Sequence, residues 1–450
     1  MRIIIVGAGI AGLSLAISLA QSGRKVRLLD SAAQLAEIGA GIQMTPQAVK
    51  YLFKWGLKDD ILAESLVPSR MHVRDSKDGS LLCATRLHEF EKRYEAPYIV
   101  VHRAALHAIL HRHAVRAGAE ILLNSRVIEY DFENGVVQLQ NGDKLEADLI
   151  IAADGINSSA RSQLLQSLDP GSQPTGWAAY RLMTEVSKIK ADPELAPLAD
   201  LETHSSNFWI AGDKSCMTYL VKNATMLNIV LSHHDDIDTS KFSQEEYSDT
   251  VDELFKEFEP RVRRLIQLAV PKTANYPVYA VPPLPYWAHS SGRFTLVGDA
   301  AHAMAFYLSM GVSLAVEDAV SLTTVLDLAC PVSAATKDSQ NSLNAENVRA
   351  ALHVFETVRK KRAQAVQDAS LEAGNTLHVP EGRGRELLYE ALREANEDLP
   401  VNMQAEKLEQ RRVHNVSSGI SDKATRDWCY GYDAIGDITA NWTHRLEGSS

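Results

Sequence analysis

The first thirty residues carry two hydrophobic periods back to back. Ile3-Ile4-Ile5-Val6 is a short, continuous apolar run, the pattern of a strand buried on both faces of a parallel sheet. Gly7, Gly9 and Gly12 follow in G-x-G-x-x-G spacing, and residues 13–22 are compatible with a helix. A second largely apolar run, residues 26–29, ends at Asp30. The buried-strand pattern returns twice: Leu149-Ile150-Ile151-Ala152-Ala153 stops at Asp154-Gly155, and Phe294-Thr295-Leu296-Val297 stops at Gly298-Asp299.

Residues 37–43 read as a glycine-rich loop, and Thr45-Pro46 reads as a helix start with Thr45 as cap, closed by Gly56. A hairpin is expected over 73–82 around Lys77-Asp78-Gly79, then a helix from His102-Arg103 to Arg116 closed by Gly118. Short strands are expected at 121–123, 127–132 and 136–139, with a turn at Asn141-Gly142. From 177 to about 272 strand-like pieces alternate with polar stretches, followed within that span by an acidic, helical segment at 243–268. This predicts a second domain with an antiparallel sheet. Helices at 313–328, 348–372 and 381–397 complete the chain, with a polar loop at 337–347.

The glycines have distinct jobs if the first unit holds a dinucleotide. Gly7 permits the tight strand-to-helix turn, Gly9 lets the backbone approach a pyrophosphate, and Gly12 lets helix and strand pack closely. The helix N-terminus offers free N–H groups to phosphate. Asp30, eighteen residues past Gly12, can accept from ribose hydroxyls. The uncharged run 3–20 also invites a signal-peptide or membrane-helix reading, but the glycine spacing, the missing basic flank and the missing cleavage site speak against it. Three glycine-bearing turns at the ends of three buried strands suit a long cofactor such as FAD better than a nicotinamide alone. With a single G-x-G-x-x-G, a second nucleotide-binding domain is not apparent.

Composition narrows the classes. The 450 residues are 45% hydrophobic and 23% charged, enough for two or three folding units. A net charge of −11 without a long basic run argues against nucleic acid as a partner. Cys83, Cys216, Cys330 and Cys429 form no C-x-x-C pair, which points to a reducing, cytoplasmic setting and to no zinc site. His107 and His111 lack the glutamate of H-E-x-x-H and read as solvated or packing residues. His233-His234-Asp235-Asp236 reads as a polar loop. No metal is expected, no G-x-S-x-G suggests a serine hydrolase, and the tail 447–450 is no familiar address.

Taken together, several stretches carry a resemblance. They are the first glycine motif, Gly39-Ala40-Gly41-Ile42-Gln43, His102-Arg103, Asp154-Gly155-Ile156-Asn157-Ser158 with Arg161, Gly298-Asp299-Ala300-Ala301-His302, Gly311 with Glu317-Asp318-Ala319, and Trp428-Cys429-Tyr430-Gly431-Tyr432-Asp433. The chain resembles the single-component FAD-dependent aromatic monooxygenases, the group of 4-hydroxybenzoate and salicylate hydroxylases, and within it the salicylate-hydroxylase-like enzymes of fungal secondary metabolism. The resemblance implies noncovalent FAD held by Gly7, Gly9, Gly12, Asp30, Gly41, Arg103, Asp154, Asp299, Gly311 and Val312. Asp30 stands where the family more often has Glu. Arg103 would contact the phosphate region, Asp299 the ribityl hydroxyls, and the Gly311 and Val312 N–H groups the flavin ring. Asp154 and Arg161 would close the crevice and help pass NAD(P)H; Asp154 reads equally as a turn former. The family's P-Y-x-x-Q-G-x-N stretch is here Phe306-Tyr307-Leu308-Ser309-Met310-Gly311-Val312-Ser313, losing the proline that lines the reactive face. Arg181 and Tyr219 fall where the relatives place substrate-handling residues. Arg can pair with a carboxylate or phenolate, and Tyr can hydrogen-bond and deprotonate a phenol. Both also read as ordinary sheet residues.

The expected fold class is α/β: a Rossmann-like FAD-binding domain with an inserted antiparallel-sheet substrate domain and a helical C-terminal segment. The FAD domain would comprise residues 1–72, 98–176 and 276–370, the substrate domain a hairpin at 73–97 plus 177–275, and the helical segment 371–450. The expected activity is NAD(P)H-dependent hydroxylation of an electron-rich aromatic or heteroaromatic substrate through a flavin C4a-hydroperoxide, with O2 consumed. The catalytic candidates are Arg181 and Tyr219, in a monomer or homodimer without membrane span. The alternatives are an FAD halogenase, weakened by the missing W-x-W-x-I-P stretch, an FAD oxidase or reductase of a non-aromatic substrate, and a non-catalytic FAD-binding protein.

Overall fold

The fold is described from a computed structural model, over residues 1–35, 40–200, 204–236, 238, 242–269, 275–332, 345–398 and 421–448. Glu37, Ile38 and Gly39 of the glycine-rich loop, residues 337–344 of the polar loop and Ser449-Ser450 lie outside the described residues.

The apolar runs of the sequence lie side by side. Five parallel strands form a sheet in the order Phe294–Leu296, Leu149–Ala152, Arg2–Val6, Lys25–Leu29, Glu120–Leu122. Ile3, Ile5, Ile150, Ile151 and Leu28 are at most 1% exposed, and burying each contributes about 1.5–3 kcal/mol. Helix Ile10–Gln21 follows the first strand and packs on helices Arg103–Arg116 and Gly311–Ala329. Because the strands run the same way, the turns at Gly7, Ala153-Asp154 and Val297-Gly298 line up along one edge, where α/β sheets bind ligands.

A seven-stranded sheet forms the second layer, in the order Asn275–Ala280, Gln173–Glu185, Met226–His234, Lys214–Val221, Ser205–Ile210, Arg70–Asp75, Leu81–Arg86. It is not purely antiparallel as expected: Ser205–Ile210 runs parallel to Arg70–Asp75, because the early hairpin is added to the edge of the later meander. Alternation along Lys214–Val221 splits its side chains between two cores. Leu220 packs under helices Gln244–Leu254 and Pro260–Ala269, while Tyr219 and Val221 pack toward the first sheet's core. The segment expected as one acidic helix is therefore two, broken before Pro260.

Part of the glycine-rich stretch is also a strand. Gly41–Met44 pairs antiparallel with Ile99–His102, whose four residues are buried and bring Ser65–Leu66 alongside as a third strand. The long helix Ala345–Leu377, then Arg383–Glu394, Lys423–Tyr430 and Ala434–Gly448, cover the back of the molecule.

Candidate active site

A cavity of about 390 Å³ opens where the two sheets meet. One end is lined by Gly9, Arg103, Gly155, Asp299, Gly311 and Val312, the other by Gln43, Arg181, Phe208, Met217, Tyr219 and Phe306.

The nucleotide end is built from turns that only glycine allows. Gly7 has φ +104°, and a Cβ there would lie 2.4 Å from the Ala153 carbonyl oxygen. A Cβ on Gly12 would lie 1.9 Å from the Gly7 carbonyl oxygen, so helix and strand touch through bare backbone. Asp30 steadies the loop: its carboxylate accepts from Ala8 N–H at 2.7 Å and from Ala32 N–H at 2.8 Å. His107 is a buried packing residue whose Nε2 lies 2.7 Å from the Ala8 carbonyl oxygen. Arg103 opens helix Arg103–Arg116, its N–H bonded to the Ala40 carbonyl at 3.0 Å.

Asp299 stands on a braced turn. Gly298 adopts φ +58°, and its N–H donates to Asp318 Oδ2 at 2.9 Å. The same oxygen lies 2.6 Å from His302 Nε2, and Asp318 Oδ1 accepts from Arg359 Nε at 2.9 Å. Burial alone would raise the Asp318 carboxyl, but His302 and Arg359 outweigh it and hold it at about 2. Arg359 also donates to Glu317 at 2.7 Å, and Arg362 joins Glu317 to the carbonyl of Cys429. The Arg362 guanidinium lies between Trp428 and Tyr432, 4.7 and 4.3 Å from their ring centres. The Asp299 carboxylate, freed of any such task, faces the cavity, and the described residues donate no hydrogen bond to it. The surrounding protein pushes its pKa up, with His302 and Arg103 opposing.

These features fit FAD. An unclaimed carboxylate suits ribityl hydroxyls, and the space beside Gly9, empty of other atoms within 4 Å, suits a phosphate. Gly311 and Val312 begin helix Gly311–Ala329, so their N–H groups have no intrahelical partner and border the cavity.

At the other end, Arg181 is enclosed by protein yet presents its surface to the cavity. Its guanidinium lies 5.7 Å from the ring centre of Tyr276 on the edge strand. Burial draws its pKa down, partly offset by Tyr219. Tyr219 lies over Gly41: a Cβ at Gly41 would sit 2.5 Å from Tyr219 Cε2, and the Gly41 N–H donates to Asn228 Oδ1 at 2.8 Å. Gly41 thus serves the tyrosine ring directly. Burial pushes the Tyr219 phenol well above its ordinary range, although Arg181 opposes the shift. The hydroxyl is therefore neutral near pH 7, which corrects the expectation that it takes a proton; it can only donate or accept a hydrogen bond.

The other sequence candidates divide. The Asp154 carboxylate caps the start of helix Ser159–Leu165, accepting from Ser158 Oγ at 2.5 Å and Ala160 N–H at 3.2 Å, which is the geometry of the turn-former reading. Its neighbours Ala153 and Gly155, not Asp154, line the cavity. Arg161 is buried in an ion pair with Asp169 at 2.9 Å and donates to the carbonyls of Ile156 and Ala300, so it braces this corner instead of reaching a ligand. His233 and His234 lie in a strand, not a loop, and stack on Tyr180 and Trp177. Among the described residues no cluster could hold a metal. Where the resemblance placed proline, Phe306 lines the cavity and packs on Tyr307, ring centres 4.8 Å apart. Met310 is buried and receives Gln47 Nε2 at 3.1 Å. Thr45 does not cap its helix with its side chain; its hydroxyl bonds Ser313 Oγ at 2.5 Å.

Sequence reasoning missed Arg359 and Arg362, which complete the Glu317-Asp318 motif from a helix 41 residues away. Two adjacent acids inside an apolar helix pattern were the signal that buried cations must exist.

The comparisons with known proteins agree with this geometry. The family described as "FAD binding domain" matches residues 1–358. The FAD-dependent monooxygenase OpS4 of Beauveria bassiana is 29% identical over 439 residues, 97% of this chain and 96% of that protein. Hispidin-3-hydroxylase of Neonothopanus nambi is 30% identical over 428 residues, 93% of this chain and 98% of that protein. The solved substrate complex of a salicylate hydroxylase shares the fold, with a TM-score of 0.73 at 24% identity over 98% of both chains. Among the described residues no helix is long and apolar enough to cross a membrane. A dinucleotide groove built on the first strand, and relatives that span nearly the whole length, make this chain a member of the FAD-binding-domain family of FAD-dependent monooxygenases.

Proposed function

We propose that the chain hydroxylates an electron-rich aromatic or heteroaromatic ring with FAD, NAD(P)H and O2, in secondary metabolism and as a monomer or homodimer. The carrying observation is that one cavity holds both an FAD-shaped set (Gly9, Asp299, Gly311, Val312) and, on the second sheet, Arg181 and Tyr219. Bound FAD, reduced by the nicotinamide, supplies the activated oxygen; the protein's task is placement and exclusion of water. Asp299 accepts from the ribityl hydroxyls, and the Gly311 and Val312 N–H groups favour negative charge on the reduced ring. Met71, Val73, Phe208, Met217 and Phe306 give the substrate apolar walls that shed water. Arg181 pairs with an anionic or phenolate oxygen, and the neutral Tyr219 hydroxyl adds a hydrogen bond. Both hold the ring in place and keep its oxygen electron-rich. The four free thiols fit a reducing, cytoplasmic location.

The test is a panel of hydroxylated and carboxylated aromatic compounds offered to the holoenzyme, following NAD(P)H consumption and heavy-isotope oxygen in the product. Stimulated consumption with label in an aromatic product supports the reading. Consumption that yields only peroxide with every ring compound favours the oxidase.

A further inference from the structure

Gln43 lies on strand Gly41–Met44, two residues from Gly41, so their side-chain positions share one face of that strand. The Tyr219 ring occupies the space over Gly41, and its hydroxyl end comes within hydrogen-bonding reach of the Gln43 side chain. Gln43 Oε1 is already taken twice: it accepts from the buried Tyr98 hydroxyl, and from Ser309 Oγ at 3.3 Å. Ser309 is fixed for this by a left-handed backbone, φ +55°, just before the helix that borders the cavity. An amide whose oxygen is saturated by hydroxyl donors turns its NH2 toward the remaining neighbour. Tyr219 Oη then accepts from Gln43, and its own proton must point elsewhere, into the cavity that both residues line.

We infer that Gln43 is a positioning residue that fixes Tyr219 as a hydrogen-bond donor toward the substrate, so that Tyr219 and Arg181 together select a ring bearing an acceptor-only group: a carboxylate, phenolate or enolate oxygen. This rests on the reading of the cavity as an aromatic-substrate site and sharpens it. Arg181 has donors only, and Tyr219 in this orientation offers a donor too, so a substrate N–H or ammonium at this end would leave all three groups unpaired. Arg181, with Arg103 facing it, sets a positive potential here, and Asp299, the carboxylate in the cavity lining, stands at the nucleotide end.

The test uses FAD-loaded protein and two probes that differ only in the acceptor, 2-naphthoate and naphthalene, titrated by their perturbation of the visible flavin spectrum. Gln43→Glu keeps the shape but makes the side chain accept from Tyr219, drawing the proton out of the cavity. The expected result is that Gln43→Glu and Tyr219→Phe each weaken 2-naphthoate by about ten- to a hundredfold. Naphthalene binding should stay unchanged, and the double variant should bind 2-naphthoate no worse than either single one, because the two residues act through one proton. A general loosening of the pocket would weaken naphthalene as well. Wild-type affinity for 2-naphthoate in Gln43→Glu, or losses that add in the double variant, overturns the inference while leaving the aromatic site standing. If neither probe perturbs the flavin spectrum, the aromatic-site reading falls and the inference with it. Should Gln43→Glu purify without flavin, Tyr219→Phe decides: equal losses for both probes refute the donor role.

Discussion

Three glycines share one motif, yet the same substitution should break them in different ways. An alanine Cβ at Gly12 would sit 1.9 Å from the Gly7 carbonyl oxygen and 3.4 Å from Ile5 Cγ2, a separation that backbone cannot yield to without moving the helix off the sheet. Overpacking of this kind costs about 1–3 kcal/mol, and a rigid backbone obstacle puts Gly12→Ala at the upper end or above, out of a total stability of about 5–15 kcal/mol. Gly9 is the opposite case. Its φ of −72° and ψ of −175° suit any residue, and nothing lies within 4 Å of an added Cβ. By restricting the unfolded chain, Gly9→Ala should leave the apoprotein as stable as wild type or about 0.4–1 kcal/mol more stable. The open space is the phosphate's, so its FAD affinity should fall about tenfold or more, the cost of a methyl group placed in a filled contact. Thermal unfolding of flavin-stripped protein gives the first quantity, and titration with FAD by quenching of its fluorescence gives the second. A Gly9→Ala protein that takes up FAD as wild type does, or a Gly12→Ala apoprotein with an unshifted midpoint, would refute the assignment of these two roles.

Other outcomes follow from the same geometry. Asp299→Ala should fold normally, since its carboxylate holds no protein group, and should purify largely colourless; a full flavin complement would remove it from the cofactor's contacts. Arg181→Met should keep its yellow colour and lose coupled product formation, with NAD(P)H turnover releasing peroxide; unaltered coupling would take Arg181 out of substrate handling. Asp318, lowered from 3.8 to about 2 in the fold, contributes stability that is complete above the unfolded value and vanishes as pH falls through the folded one. That contribution is worth about 2 kcal/mol. In urea melts, the advantage of wild type over Asp318→Asn should therefore shrink between pH 3.8 and about 2. A constant gap across that window would show that the carboxylate is not held charged.

Much of this architecture was legible because buried parallel strands need unbroken apolar runs, and the three runs at residues 3–6, 149–153 and 294–297 became neighbours in one sheet. The glycine spacing carried the nucleotide groove for the same reason: backbone contact at Gly7 and Gly12 leaves no choice of residue. What escaped was decided by partners remote in the chain. Gly41–Met44 has too few residues for a visible alternation and is a strand only because Ile99–His102 needs a mate. Asn275–Ala280 alternates weakly, being an edge strand with Tyr276 and Tyr279 open to solvent. Thr45 and Asp154 were read from local rules, and tertiary demand overrode the first, through Ser313, while the Asp154 carboxylate followed its turn. The orientation of Gln43 could not be read at all, since it depends on hydroxyls from Tyr98 and Ser309, far off in sequence.

The first strand, Arg2–Val6, leaves the ribosome long before its neighbours Leu149–Ala152 and Phe294–Leu296 exist. During synthesis the most apolar stretch of the sheet therefore waits with one side unmatched. The Asp299 turn waits longer still, because Arg359, which braces it through Asp318, arrives later, and the Trp428 and Tyr432 rings that clasp Arg362 arrive almost last. Flavin capture is thus a post-translational event in time, and a nascent chain stalled before residue 428 would display a glycine loop with nothing firm to close it. Supplying riboflavin to an expression host should raise the yield of finished protein but rescue no C-terminally shortened one.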